Sequence, residues 1–314
     1  MRKTSNDIKE KNRYKRNQLI FVWGALAIPI LSWIVFWFFS RIGSILQAFQ
    51  DPYTNEWSFV NFKEFWIEIT NQRNRLDSLS VALKNTIGYF VLHMFIEFPI
   101  DIVISYFLYK KIKGYRFFRI VFYFPAIVSG VVLTGVFKEL ISPLGPLGEL
   151  CKMWGIDMPS QGFLGSAETA TKTIMVYDFW SNLCVSMLML CGSMARVPLE
   201  VLESARLDGV RHSGEELIYF IIPLIWPTIS TMIILALTNL IGASGPIMLL
   251  APDAKSLGTT TISYWLFEKV YAGGRYMEGQ YNLVSAAGLC ITLIIVPIVL
   301  LLRKLVELIP AVEY

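Results

Sequence analysis

The stretch VPLEVLESARLDGVRHSGEELIYFIIPLIWP, residues Val197 to Pro227, is a charged island between two strongly apolar segments. Pro198 favours the start of a helix, because a proline lacks only an N–H that the first helical turn leaves unbonded. Leu199, Leu202 and Ala205 then recur at helical spacing, with charged residues off this apolar stripe. The first half of the island is therefore predicted to be an amphipathic helix.

The second half of the island carries a turn and a second short helix. Asp208-Gly209 predicts the end of the first helix, because glycine readily takes the left-handed conformation found at helix ends. A second helix is predicted from Ser213, since the glutamates that follow favour a helix N-terminus. This helix runs into Pro223 and the next apolar segment. The sequence thus predicts a helix–turn–helix hairpin on a membrane surface, shaped to dock on a partner.

The composition is that of an integral membrane protein. The 314 residues are 54% hydrophobic and only 17% charged, and the mean hydropathy is +0.52. Soluble domains carry about 25% charged residues. The net charge of +4 is unevenly distributed along the chain, which indicates membrane topology rather than nucleic-acid binding.

Motifs for catalysis and metal binding are missing from the sequence. It contains no P-loop of the form GxxxxGK[ST], no GxSxG and no HExxH. We therefore expect that this chain does not hydrolyse ATP, is not an enzyme and binds no cofactor. Its four cysteines form no CxxC pair and are interpreted as apolar filler. The two histidines, His93 and His212, lie far apart and predict no metal site.

Six apolar segments are each long enough for the ~20 residues that a helix needs to cross a bilayer. They are, from the first to the sixth span, Leu19–Ser40, Val81–Tyr109, Phe117–Leu140, Thr171–Ala195, Ile221–Ile241 and Leu283–Leu302. Pro125, Pro223 and Pro227 each remove a helical hydrogen bond and predict kinks, either as pivots or as static packing features. We predict an all-α fold with a six-helix domain over residues 19–305 and tails at 1–18 and 306–314.

The basic residues predict which side of the membrane each loop faces. The tail 1–18, the turn 110–119, the segment 196–220 between the fourth and fifth spans, and the residues that follow the sixth span together hold 17 of the 28 Lys and Arg residues. The positive-inside rule places such segments in the cytoplasm. Both termini and the hairpin are therefore expected in the cytoplasm, and the loops 41–80, 141–170 and 243–282 outside.

The hairpin resembles the EAA loop of ATP-binding-cassette (ABC) importer permeases. The resemblance rests on Glu203-Ser204-Ala205, Leu207-Asp208-Gly209 and Ile222-Pro223. Three departures from the family pattern are a serine for the second motif residue, an isoleucine where leucine is usual, and one more residue than is common between the glycine and the proline. The third departure predicts a changed angle between the two helices of the hairpin, residues 197–223.

In that family the loop is a cytoplasmic coupling helix that docks into a groove on the ATPase subunit. The resemblance implies that the residues that couple this chain to an ATPase are Glu203, Ser204, Ala205, Asp208, Gly209 and Pro223. It also implies the partners: a second homologous permease subunit, two ABC ATPase subunits that bind Mg-ATP, and an extracellular solute-binding protein. The implied location is the bacterial cytoplasmic membrane, with the chain crossing the lipid bilayer several times.

Further segments resemble carbohydrate permeases of the maltose-transporter type. They are FYFPAIVSGVV at 122–132, GTTTISYW at 258–265 and YNLVSAAG at 281–288, and the likeness covers residues 18–305. Such permeases work in pairs, and this chain resembles the first partner more than the second. The resemblance implies ATP-driven import of carbohydrate, with oligosaccharide as the expected substrate.

Polar side chains inside the spans predict the transport path, because such residues are costly in a membrane and are functional candidates by default. Counted at ~1.5 Å per residue along a helix, two asparagines and two carboxylates lie at similar depths. Two nearby aromatic residues offer flat faces for sugar rings. The expected substrate path consists of Asn239, Asn182, Trp180, Tyr177, Glu97 and Asp101.

Most of these residues also have a plainer interpretation. Asn182 and Trp180 suit helix–helix contacts or the outer membrane interface. Glu97 and Asp101 share one helix face through their spacing of four, which suits substrate binding, proton transfer or contact with the second permease subunit. Asp178 is expected near the external surface, where it would mark the mouth of the cavity.

Two other functions stay open at this point. One is an ABC permease for a non-sugar solute, such as a peptide or a phosphate compound. The other is an ion-driven secondary transporter in which Glu97 and Asp101 carry protons. Secondary transporters often show internal repeats, and this sequence shows no convincing repeat.

Overall fold

The computed structural model describes residues 5–71, 76, 78–155, 159, 161–183, 185–240, 242, 245–251, 254–271 and 280–309. Cys184, Ile241 and the ends of both predicted tails lie outside these residues. The described chain is helical, apart from loops and one isolated antiparallel bridge between Gln50 and Trp57. The predicted all-α fold is confirmed for these residues.

Helices form the spans and also fill much of the predicted loops. In chain order they are Ser5–Ser32, the π-helix Trp33–Phe38, Phe39–Ala48, Val60–Asn71, Leu79–Val91, the π-helix Leu92–Glu97, Phe98–Tyr109, Tyr115–Ile127, Gly130–Ile141, Pro146–Met153, Ala170–Asn182, Met187–Met194, Leu199–Leu207, Ser213–Glu215, the π-helix Glu216–Ile221, Ile222–Leu224, Trp226–Thr238, Gly245–Leu250, Ala254–Leu257, Ile262–Tyr271 and Gln280–Glu307. They belong to two compact units, one built from Met1–Phe65 with Gly274–Cys290 and the other from Trp66–Gly273 with Ile291–Tyr314.

Five of the described helical runs are long and apolar enough to cross a membrane. They are Arg13–Ala48, Leu79–Tyr109, Gly130–Met153, Ala170–Met194 and Gln280–Glu307. A sixth candidate is the helix pair Ser213–Leu224 and Trp226–Thr238, which is bent by 76° at its break. The described helices therefore match the predicted number of spans when the bent pair counts as one.

The third predicted span, Phe117–Leu140, consists of two helices that meet at an unexpected place. The helix Tyr115–Ile127 contains Pro125 and continues past it. The break lies at Val128-Ser129, and the next helix begins at Gly130. Adjacent glycine and serine are a common cause of helix breaks. The helix is therefore interrupted not at Pro125, where this was expected, but after it, at Val128-Ser129.

The fourth predicted span, Thr171–Ala195, is broken as well. Helix ends at Asn182 and resumes at Met187. The side chains of Ser181 and Asn182 both donate to the backbone carbonyl of Asp178, at 3.1 and 2.9 Å. Such local bonds compete with the helical backbone bonds. No proline or glycine marks this break, so the sequence pattern predicts one continuous span.

The fifth span begins with a sharp bend. The chain turns at Ile225, between the helices Ser213–Leu224 and Trp226–Thr238. Pro227 lies in the first turn of the second helix, where its missing N–H needs no partner, so it starts this helix rather than bending it from within. The kink predicted near Pro223 and Pro227 is confirmed as this 76° bend.

The first and last spans are longer than predicted. The N-terminal helix runs from Ser5 through the π-helix Trp33–Phe38 to Ala48, so the described part of the basic tail continues the first span as a helix. The last helix runs from Gln280 to Glu307 and includes the first residues of the predicted C-terminal tail. The tail boundaries predicted at 18 and 306 are therefore not helix boundaries.

Two apolar clusters hold the larger unit together. The first, called here the hairpin-side cluster, joins the hairpin to the second, fourth and fifth spans and includes Ile102, Tyr106, Leu190, Met194, Leu202, Leu217, Ile221, Ile225, Ile229 and Met232. The second, called the loop-side cluster, joins the second, third and fourth spans to the later helices and includes Tyr89, Leu133, Phe137, Ile174, Tyr177, Ile247, Leu250 and Tyr264. The hairpin is therefore packed into the apolar core of this unit.

The GTTTISYW segment is bonded to the second span through buried side chains. Asn85 donates to the carbonyls of Gly258 and Thr260, at 2.8 and 2.9 Å. The Thr86 hydroxyl accepts the backbone N–H of Ile262 at 3.0 Å. This part of the predicted outer loop is thus anchored in the folded unit.

Replacing Asn85 with alanine is expected to lower the free energy of unfolding by about 1–3 kcal/mol, because two buried carbonyls lose their donor. Thermal unfolding of the purified protein measures this loss. Lys84→Ala is the matched control, since Lys84 is the exposed neighbour on the same helix. Equal unfolding midpoints for the two variants would contradict the anchoring role.

Candidate functional site

The first helix of the hairpin, Leu199–Leu207, is only partly covered by the spans. Leu202 and Ala205 are buried, as their stripe predicts. Leu199, placed on the same stripe by its spacing, is 66% exposed, and Leu207 is 89% exposed. Two large apolar side chains are therefore uncovered on the hairpin, which is typical of a docking surface.

Gly209 ends this helix in the way that the sequence predicts. Its φ of +104° lies in the left-handed region. The backbone N–H of Gly209 donates to the carbonyl of Arg206 at 3.2 Å, and that of Val210 donates to Ala205 at 3.1 Å. These two bonds form the Schellman motif, which satisfies the last carbonyls of a helix and favours glycine at the left-handed position.

The second half of the hairpin begins at Ser213, as predicted, and continues into the π-helix Glu216–Ile221. A π-helical turn takes up more residues than an α-helical turn. The extra residue counted between Gly209 and Pro223 therefore has a place inside this helix rather than in the turn. The changed angle between the hairpin helices stays a prediction.

The six predicted coupling residues lie on the hairpin and at the entry to the fifth span. Glu203, Ser204, Asp208 and Gly209 are exposed, Ala205 is buried and Pro223 is half-buried. The exposed four belong to the same helix and turn as Leu207, so the hairpin presents carboxylates beside an apolar side chain. Their coupling role stays a prediction.

Five of the six residues predicted for the substrate path line one cavity of about 920 Å³. They are Glu97, Asp101, Tyr177, Asn182 and Asn239. The sixth, Trp180, is not part of this wall. Its ring instead packs beside Phe137 and Tyr177, with ring centroids 6.4 and 6.2 Å away. The cavity wall is built from the second, third, fourth and fifth spans and from the helix Gly245–Leu250.

His93 joins carboxylates from two different spans in this wall. Its Nδ1 lies 2.5 Å from Glu97 Oε2 within the π-helix Leu92–Glu97, and its Nε2 lies 2.7 Å from Asp178 Oδ2 in the fourth span. Asn182 donates to the other Asp178 carboxylate oxygen at 3.0 Å. Asp178 is only 5% exposed. Asp178 therefore lines the cavity, and its expected place near the external surface stays a prediction.

The bridge of His93, Glu97 and Asp178 places two carboxyl groups and one imidazole in the cavity wall. A neutral imidazole donates through only one nitrogen. Two hydrogen bonds to carboxyl oxygens therefore require either an imidazolium, which donates through both nitrogens, or a neutral imidazole that accepts a proton from a carboxylic acid on one side. Asp101 adds another carboxyl group, and no Lys or Arg is among the described residues that line the cavity.

His93 and Tyr89 also line the cavity, although neither was predicted as a member of the path. Tyr89 is 2% exposed, and its hydroxyl has no hydrogen-bond partner among the described residues. Such an arrangement is costly in a buried site. The only sequence signal for His93 is its position four residues before Glu97. Its other partner, Asp178, lies 85 residues away, and no local pattern connects the two.

Comparison with known proteins relates the chain to transport permeases, although no protein-family model matches it. It is similar to the multiple sugar-binding transport system permease protein MsmF of Streptococcus mutans, with 26% identity over 276 residues that cover 87% of this chain and 90% of that protein. It is also similar to the arabinooligosaccharides transport system permease protein AraP of Bacillus subtilis, with 21% identity over 281 residues that cover 88% and 85%.

Two solved structures have the same fold. A chain in the crystal structure of a bacterial ABC transporter involved in the import of the acidic polysaccharide alginate matches with a TM-score of 0.78 and 20% identity, over 94% of this chain and 98% of that one. A chain of the bacterial alginate ABC transporter in complex with an alginate pentasaccharide-bound periplasmic protein matches with a TM-score of 0.77 and 19% identity, over the same shares. The described helices therefore share the fold of these two chains.

Proposed function

We propose that this chain, a permease of the carbohydrate ABC-importer type, forms the substrate path of a binding-protein-dependent importer that moves neutral oligosaccharide into the cytoplasm. The observation that carries the proposal is a cavity of about 920 Å³, whose largely apolar wall contains several polar and aromatic side chains, in a chain whose relatives are sugar-transport permeases over most of its length. Transport proceeds by alternating access, driven by ATP hydrolysis on partner subunits.

The cavity wall suits a hydroxyl-rich ligand. Its volume lies within the ~300–1,000 Å³ that is typical of small-molecule sites. Asn239 is exposed at the end of its helix and makes no side-chain hydrogen bond with a described residue. Its amide is therefore available to ligand hydroxyls as donor and acceptor. The wall also contains the aromatic rings of Tyr89, Phe90, Phe98 and Tyr177, which offer apolar faces to the C–H surface of a sugar.

The charge of the wall favours neutral solutes over anions. The bridge at His93 contains two carboxyl groups and one imidazole, Asp101 adds a third carboxyl group, and the described lining contains no Lys or Arg. An anionic solute would meet like charge in a site of low dielectric constant, whereas phosphate sites usually present arginine or lysine. This argues against a phosphate compound, which is one of the alternatives left open by the sequence.

The proton-driven alternative has less support. Glu97 is held by His93, and the relatives are permeases of sugar transport systems. Uptake into membrane vesicles separates the two functions. ATP at the cytoplasmic face is expected to drive accumulation of neutral oligosaccharide, and a proton gradient without ATP is not. Accumulation driven by the gradient alone would reverse the assignment.

The partners that we propose are a second homologous permease subunit, two ABC ATPase subunits that hold Mg-ATP, and an extracellular solute-binding protein. The exposed Leu199 and Leu207 support docking of an ATPase on the hairpin. The alginate transporter bound to a periplasmic protein supports the third partner. On the distribution of basic residues, we place the chain in the bacterial cytoplasmic membrane, with six spans and with both termini and the hairpin in the cytoplasm.

Asn239→Ala is expected to raise the KM for uptake by up to about tenfold, because one hydrogen bond to the solute is worth ~0.5–1.5 kcal/mol. The maximal rate should change little. Thr238→Ala is the control, since Thr238 lies outside the cavity wall and its hydroxyl donates to Leu235 within its own helix. Uptake rates measured over a range of solute concentrations give the KM and the maximal rate of each variant. An unchanged KM would remove Asn239 from the substrate path.

A further inference from the structure

We propose that Glu216 is a positioning residue that ties the hairpin to the second span, so that movement of the hairpin is passed to the cavity wall. This inference rests on the proposed function, because it concerns how force from an ATPase reaches the cavity. Glu216 begins the π-helix at the entry to the fifth span and is only 5% exposed. It lies outside the residues that carry the resemblance to the EAA loop.

Side chains from three segments meet at this carboxylate. Lys110 Nζ lies 3.1 Å and Arg206 Nη2 3.6 Å from Glu216 Oε2. The Tyr106 hydroxyl donates to Glu216 Oε1 at 3.1 Å. Lys110 also donates to the Tyr106 hydroxyl at 2.9 Å and to the Ser213 hydroxyl at 3.4 Å. Both helices of the hairpin and the end of the second span therefore share one ionic cluster.

This cluster fixes the register of the hairpin against the second span more specifically than the apolar packing around it does. Apolar contacts have no preferred direction, so they allow one helix to slide on another. Separating the buried Glu216 carboxylate from Lys110 and Arg206 would instead leave a buried charge without a partner, which is unfavourable. Burial opposes the charge of Lys110, but its hydrogen bonds to Tyr106 and Glu216 raise the pKa of the ammonium above its usual value. The lysine is therefore charged throughout the physiological pH range, so its ion pair with Glu216 holds the hairpin at one position relative to the second span.

The second span connects this link to the cavity. Tyr106 belongs to the helix Phe98–Tyr109, which also carries Asp101 in the cavity wall, and Lys110 follows this helix directly. A helix is a rigid element that transmits displacement along its axis. A shift of Arg206 with the hairpin is therefore expected to shift the wall at Asp101.

The test uses the complete transporter in vesicles with a neutral oligosaccharide that the wild type imports, and measures solute imported per ATP hydrolysed. Glu216→Ala, Lys110→Gln and Arg206→Gln are each expected to lower this ratio at least about fivefold, the lower end of the range for coupling between sites, while ATP hydrolysis continues. Lys111→Gln and Arg211→Gln are the matched controls, since both residues are exposed neighbours of the same charge. They should keep the wild-type ratio.

The ratio separates a positioning role from a merely structural one. An unchanged ratio overturns the proposal, whether uptake and ATP hydrolysis fall in proportion or neither of them changes. Glu216→Asp, which keeps the charge, is expected to recover most of the ratio. Arg206→Gln keeps the proposal testable if changes at the buried Glu216 prevent folding, because the Arg206 side chain is 57% exposed.

A second measurement needs no solute. Spin labels on Leu207→Cys and Lys113→Cys report the distance between the hairpin and the turn after the second span. In the wild type this distance is expected to be the same with and without ATP, and in Glu216→Ala it is expected to change. An equal response in both proteins would refute the link. A wild type that hydrolyses ATP but imports no oligosaccharide would instead refute the proposed function, and the label distances would still decide on Glu216.

Discussion

Gly209→Pro is expected to reduce ATP-driven uptake strongly, toward the upper end of the ~5–150-fold range seen for coupling between sites, while membrane insertion is unaffected. Proline holds φ near −65°, whereas Gly209 has a φ of +104°. Proline also lacks the N–H that donates to Arg206. The Schellman motif would be lost, and the hairpin would no longer present its coupling residues in one geometry. Uptake and ATP hydrolysis by the assembled transporter measure the effect.

A pair of alanine variants isolates the contribution of the backbone. A Cβ added at Gly209 or at Gly214 meets no atom within 4 Å, so neither substitution creates a clash. Of these two glycines, only Gly209 has a positive φ. A residue with a side chain adopts this backbone conformation at a cost of ~1–2 kcal/mol. Gly209→Ala is therefore expected to lower uptake and Gly214→Ala to leave it unchanged. Full uptake by Gly209→Pro would remove the hairpin from the coupling route.

His93→Leu is expected to destabilise the protein by about 3–5 kcal/mol, the usual loss when one partner of a buried ionic group is removed. The buried carboxyls of Glu97 and Asp178 would face each other without the ring that bridges them. Uptake should fall with the loss of this wall. Thermal unfolding of the purified transporter and uptake in vesicles are the two measurements.

Two further variants show whether charge is the cause. Met94→Leu changes the next residue of the same wall without changing charge or much volume, and is expected to behave like the wild type. The triple variant His93→Leu, Glu97→Gln, Asp178→Asn removes every charge of the bridge. It is expected to recover most of the stability but not the uptake. If the triple variant were as unstable as His93→Leu alone, lost packing rather than unpaired charge would be the reason.

The hairpin was predictable because its signals are local. Pro198 and Gly209 act through their own backbone, and the helix Leu199–Leu207 lies between them as predicted. The number of spans was predictable for a similar reason, since apolar length is a property of a continuous segment. Exposure of Leu199 was not predictable, because the helical stripe shows which residues share a face but not how far the neighbouring spans cover it.

The helix breaks within the spans were harder to predict from the sequence. The first helix of the third span continues past Pro125, and the first helix of the fourth span ends at Asn182, where no proline or glycine stands. In the fourth span the cause is a competition between side-chain and backbone hydrogen bonds at one carbonyl. Such a competition is decided by the packing around it, and the same serine and asparagine are tolerated inside many helices.

Class of protein, span count and the turn at Gly209 thus follow from the order of residues alone, because composition, segment length and backbone preference act within a few positions of the chain. The cavity wall and the ionic cluster at Glu216 do not. Asp178 reaches His93 across 85 positions, and Lys110 reaches Glu216 across 106. These contacts exist only once the spans have packed, since hydrogen bonds and ion pairs depend on distances of a few ångströms in space and carry no trace in the spacing along the chain.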